Sequence, residues 1–87
     1  MTKIDLYNKI MKILDNALKK DVSEHKYYTL KWDIFKRVAN RDKFDICIYI
    51  YDSIKIAYSD MFISLDVVYE YLIDLQENIN KENKWKN

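Results

Sequence analysis

Apolar side chains recur at intervals of three and four residues along most of this chain, and that spacing is the first guide to its elements. Near the start, Tyr7, Ile10, Leu14, Ala17 and Leu18 share one helical face, with Met11 beside them. Thr2 followed by Asp5 matches a capping box with the shorter acid, and Lys19 and Lys20 fall where a helix dipole favours cations. These features predict a first helix over about residues 3–20. After a polar connection at Asp21 to Glu24, Tyr28, Trp32, Phe35 and Ala39 form a spaced row joined by Tyr27, Ile34 and Val38. The row predicts a second helix with its aromatic side in the core. Lys31 stands inside that arc, so either its stem snorkels past the rings or the helix is rotated from this placement.

Phe44 to Met61 has two readings. Ile46, Ile48 and Ile50 alternate with Cys47, Tyr49 and Tyr51, as residues of a strand do, and a hairpin turning at Asp52 and Ser53 would fit that alternation. Against it, Asp45, Asp52 and Ser59 are seven apart with Lys55 between them, which puts them on one helical face. Cys47, Ile50, Ile54, Ala57, Tyr58 and Met61 then gather on the opposite face, and the helix is preferred. Ser64 is placed to cap a last helix whose core stripe is Leu65, Val68, Leu72, Leu75 and Ile79. From Asn80 the chain turns polar, so residues 81–87 are expected to fray, with Trp85 free to tuck back. The expected fold is all-α, a four-helix bundle in a single domain over residues 1–80. The alternative is an α+β fold with a β-hairpin at about 44–58.

Composition sharpens this in two ways. The 87 residues include no Gly and no Pro, which removes the usual residues of tight hairpins and phosphate-cradling loops and disfavours P-loop and dinucleotide-binding enzymes. Cys47 is the single cysteine and His25 the single histidine, so neither an intrachain disulfide nor a metal ligand set can be written, and no cofactor is expected. His25 reads as an exposed residue of a cap region and Cys47 as a small buried hydrophobe. Asp21, Ser23 and His25 are close in sequence, but catalytic triads are recognised by convergent geometry, and no enzyme is expected. The longest apolar run, Ile46 to Tyr51, is far short of the roughly 20 residues that span a bilayer, and charges at Lys3 and Asp5 interrupt any leader. A cytoplasmic protein is expected. Thirteen lysines against two arginines, with twelve isoleucines, fit AT-rich coding such as that of a mobile element.

Charge is segregated beneath a net value of +1. Residues 1–43 carry eleven Lys or Arg against six Asp or Glu, whereas residues 56–80 carry five acids and no base. Asp66, Glu70, Asp74 and Glu77 line one side of the last helix at spacings of four, four and three. A ridge of that kind focuses negative potential and favours encounter with a basic partner. On the third helix, Ile48, Tyr49 and Ile56 fall on the polar side among Asp45, Asp52 and Ser59, so either another helix covers them or a partner does. The expected contact surface is therefore Ile48, Tyr49, Asp52 and Ile56 with Asp66, Glu70, Asp74 and Glu77. The expected function is a non-enzymatic protein-binding module, possible as a homodimer, that inhibits or neutralises another protein. In size, charge and helical class the chain is similar to small bacteriocin and nuclease-toxin immunity proteins, which block basic toxins with acidic, tyrosine-bearing helices. The alternative is a dimeric nucleic-acid-binding regulator, in which Lys26, Lys31, Lys36, Arg37, Arg41 and Lys43 contact phosphates. Asp33 and Asp42 interrupt that set, and an aromatic row assigned to the core leaves no rings for base stacking.

Overall fold

A computed structural model describes residues 1–42 and 44–82. Thr2 opens the first helix, α1 (Lys3–Ala17), by accepting a hydrogen bond from the Asp5 amide, while the Asp5 carboxylate accepts one from the Thr2 amide, completing the expected capping box. Ser23 caps α2 (Glu24–Asn40) by accepting from the Lys26 amide. Ser64 does the same for α4 (Leu65–Glu82) through the Val67 amide at 3.4 Å. Between these two lies α3 (Ile46–Ala57), followed by a short 3-10 turn, Ser59–Met61. The hairpin alternative is thereby excluded, and the all-α bundle is observed. Among the described residues no helix is long and apolar enough to cross a membrane.

Without glycine, α1 and α2 leave through extended backbone rather than through a left-handed residue. Leu18 ends α1 at φ −72° and ψ 148°, and it pairs with Phe62 in an isolated antiparallel bridge. The Lys19 amide donates to the Met61 carbonyl at 3.0 Å, and the Ile63 amide donates to the Ala17 carbonyl at 2.9 Å. One carbonyl orphaned at the end of α1 is thus satisfied by the segment entering α4. This bridge is also why the first helix stops at Ala17, short of the predicted residue 20: Lys19 and Lys20 lie beyond its last turn, which holds no base. At the end of α2, the Lys3 ammonium plays the same part by donating to the Ala39 carbonyl at 2.8 Å.

α1 packs against α2 and α4, and α3 against α4 and α2, so α2 and α4 stand on opposite corners of the bundle. The core is aliphatic: Leu6, Ile10 and Leu14 from α1, Leu30, Ile34 and Val38 from α2, Ile46, Ile50 and Ile54 from α3, and Val68, Leu72 and Ile79 from α4. Met61 and Phe62, at the end of the 3-10 turn, are buried with them.

Two expectations are corrected. The aromatic row of α2 is not in the core: Tyr28 is 56% exposed, Trp32 59% and Phe35 38%, and Ala39 is exposed beside them. The buried stripe is Leu30, Ile34 and Val38, about a third of a turn away from the predicted face. That stripe contains no charge, whereas burying the aromatic arc would have dragged the Lys31 ammonium out of water at a cost of several kcal/mol, roughly. Rotation leaves Lys31 at the rim, its ammonium 5.6 Å from the Tyr27 ring centre. The second correction concerns the tail: Lys81 and Glu82 continue α4, and Glu82 lies 3.7 Å from the terminal amine of Met1. The rest of the predicted tail, with Trp85, lies outside the described residues.

Candidate functional site

On α4 the alternation of Val68, Leu72, Leu75 and Ile79 turns one side inward, and the acids fall opposite it. Asp66, Glu70, Asp74 and Glu77 are all exposed, and none forms an ion pair among the described residues. Exposed rings and a branched aliphatic flank the ridge. On its α3 side Tyr69 meets Tyr51 edge-on, with ring centres 4.8 Å apart. On its α1 side Val67 and Tyr71 are exposed and help line a hollow of about 420 Å³ shared with Lys12, Ile13 and Asn16. These three flanking residues were not singled out from the sequence. Their signal was that they sit off the core stripe of a helix, where a large apolar residue has no inward place.

The predicted α3 residues divide. Ile48 is exposed and Ile56 is 84% exposed, with Asp52 between them one turn from each. Tyr49 instead turns toward α2 and is half-buried. Its hydroxyl accepts from Arg37 at 2.7 Å, and the Arg41 guanidinium lies 4.1 Å from its ring centre. Another helix therefore covers Tyr49, whereas Ile48 and Ile56 are left to water. Both arginines of the chain are spent in this cluster: Arg37 pairs with Asp33 and Arg41 with Asp45. Because the guanidinium lies against the ring, the Arg41 Nε is buried without a hydrogen-bond acceptor among the described residues. The Tyr58 hydroxyl donates to Asp33 at 3.2 Å; burial, and then the Asp33 carboxylate, push its pKa above the ordinary value and keep it a donor.

This arrangement changes the account of the basic residues. Of the six predicted phosphate contacts, Lys26 is held by Asp60 at 2.6 Å, Arg37 by Asp33 and Arg41 by Asp45. Lys26 in turn holds the Asp60 carboxyl below its usual range. Lys43 lies outside the described residues. Lys31 and Lys36 stand beside the exposed rings of α2, where Trp32 and Phe35 are stacked at 5.7 Å and the Lys36 ammonium is 5.8 Å from the Trp32 ring centre.

Ser23, His25 and Cys47 lie in three different settings. The Ser23 hydroxyl is the cap of α2, and His25, in the first turn of that helix, is exposed as expected. Cys47 is fully buried, and burial pushes its thiol up to about 12, so it stays a neutral core residue. Its backbone amide donates at 3.0 Å to the Oε1 of Gln76, the one buried polar side chain among the described residues. Asp45, the residue preceding α3, makes no capping bond because Arg41 holds its carboxylate; Gln76 of α4 caps that helix from outside. No group of three or more His, Cys, Asp or Glu among the described residues is placed to hold a metal ion. No family model, curated protein or solved structure matches the chain.

Proposed function

We propose that this chain is a small, cytoplasmic, non-enzymatic module that binds a protein with a basic surface and restrains it, as immunity proteins, antitoxins and phage-encoded inhibitors do. The observation that carries this reading is the outer face of α4: four carboxylates without described cationic partners, flanked by exposed Val67, Tyr69 and Tyr71. Unpaired charges keep their field for a partner, which raises the encounter rate and selects its sign. The flanking tyrosines supply what charge alone lacks, since desolvated rings hold a complex once formed. Ile48 and Ile56 on the neighbouring helix extend the apolar part of the surface. Ser23, His25 and Cys47 do not converge: one caps a helix, one faces water and one is buried.

The test is capture of a partner from nuclease-treated host lysate by the wild-type chain and by a variant carrying Asp66→Lys, Glu70→Lys and Asp74→Lys. Capture by the variant is expected to fall by about a hundredfold or more, with an unchanged circular dichroism spectrum. Equal capture by both removes α4 as the contact surface.

A further inference from the structure

We infer that the outer face of α2, on the corner opposite the acidic ridge, is a stacking platform for single-stranded nucleic acid. Tyr28, Trp32 and Phe35 follow one another along this face over about 10 Å of helix. Trp32 and Phe35 lie within 14° of parallel, so together they form a short stack that a further flat ring can extend. Stacking of this kind accepts any base, because every base offers a π-face.

The charges around the rings suit a phosphate backbone. Lys31 borders the row on one side and Lys36 on the other, and neither forms an ion pair among the described residues. Lys36 also lines an open hollow of about 370 Å³ with Asp33, Arg37, Asn40, Arg41 and Tyr49, where aspartates already pair the two arginines and Lys36 supplies the positive charge left unpaired among the described residues. Between Lys31 and Lys36 around the helix, the exposed positions are Glu24, Phe35, Tyr28, Ala39, Trp32 and His25; the one acid among them, Glu24, stands in the first turn, before the rings begin. Asp33 points away from this arc into its bonds with Arg37 and Tyr58.

A protein partner fits the same face less well. Desolvated centres of protein interfaces are rich in arginine and poor in lysine, and here both arginines are turned to Tyr49 and their aspartates. The lysines that remain are compact, strongly hydrated charges, suited to phosphates that stay in water. A duplex is also a poorer fit, because its bases are already stacked and its grooves are read by side chains that reach base edges, not by a row of rings.

The experiment uses the full chain with Trp85→Phe, which leaves Trp32 as the only indole. A short labelled oligothymidine is titrated at low and moderate salt, with anisotropy and Trp32 emission as readouts, and a duplex of equal length serves as competitor. Expected are quenching of Trp32 and affinity that falls as salt rises. Trp32→Ala, made beside Trp85→Phe and read by anisotropy, and Lys36→Glu should each lose about tenfold, whereas Trp32→Phe should lose much less. Reversal of Asp66, Glu70 and Asp74 should leave oligonucleotide affinity equal or higher, which separates this face from the α4 surface. The inference is overturned by absence of binding at low salt, by equal affinity in Trp32→Ala and Lys36→Glu, or by a duplex that competes as well as the single strand. It is equally overturned if Trp32→Ala dissolves a self-associated form of the chain that takes up no oligonucleotide, since the face would then belong to a second copy.

Discussion

α2 and α4 are built on the same plan inside and on opposite plans outside. Each turns a stripe of aliphatic residues into the core, Leu30, Ile34 and Val38 from one and Val68, Leu72, Leu75 and Ile79 from the other. Outward, α2 shows three rings bordered by lysines, while α4 shows four carboxylates bordered by two tyrosines and a valine. The inner stripes answer to packing, which accepts any well-shaped aliphatic set. The outer faces answer less to the fold: Phe35 meets the Tyr7 ring of α1 edge-on at 5.5 Å, but Tyr28, Trp32 and the α4 acids are exposed and fill no part of the core. Large apolar groups kept in water next to charge of one sign are therefore the part of this molecule that folding does not explain.

The sharpest way to break that comparison is to measure both faces of α2 by stability. Ile34 is fully buried between helices, so Ile34→Ala should cost about 3 kcal/mol, a large share of the stability of so small a domain. Trp32 is the bulkier residue, yet Trp32→Ala should cost about 1 kcal/mol or less, from its stack on Phe35 and its contact with Lys36. Urea unfolding followed by circular dichroism decides it. A Trp32→Ala penalty equal to that of Ile34→Ala would mean that the ring belongs to the core after all and that the two faces of α2 do not differ.

A smaller effect separates the buried side of α4 from its ridge. Gln76 accepts from the Cys47 amide and donates to Asn80, so Gln76→Leu leaves a buried backbone donor without an acceptor. The expected loss is about 2 kcal/mol. Asp45 occupies the usual capping position but bonds Arg41 instead, so Asp45→Ala should cost less than the roughly 1 kcal/mol of an ordinary capping aspartate. The reverse order in denaturant midpoints would return the capping role to Asp45.

These cases also mark what could be read from residue order. The Thr2 and Asp5 cap, the α4 stripe and the acidic ridge were legible because each rests on neighbours three, four or seven apart. The face of α2 was misjudged because two arcs of the same helix, one aromatic and one aliphatic, both satisfy helical spacing. Lys31 within the first arc was the discriminating residue, since burying its ammonium would have opposed the aromatic choice. Gln76 was invisible because its partner, Cys47, is twenty-nine positions away and the bond exists only after α3 and α4 dock. The Leu18 and Phe62 bridge that ends α1 early was hidden for the same reason.

The smallest expected effect concerns the ridge itself, and its sign matters more than its size. Asp66, Glu70 and Asp74 are four apart, so Glu70 faces a like charge one turn before and one turn after it. Each such pair opposes helix formation by roughly 0.2–0.5 kcal/mol, and the described residues provide no cation to offset it. Glu70→Gln should therefore stabilise the chain by about 0.5 kcal/mol at low salt, with the gain shrinking as ionic strength rises and screening takes over. On α2, Lys36→Gln should give no matching gain, because that ammonium lies against the Trp32 ring and replacing it removes an attraction. If Glu70→Gln proves neutral or destabilising at every salt concentration, the ridge carries no folding cost. Exposure alone would then mark its charges as kept for an outside partner. A stabilising result shows the chain holding four acids together against its own folding preference, which is the pattern expected of a surface maintained for binding.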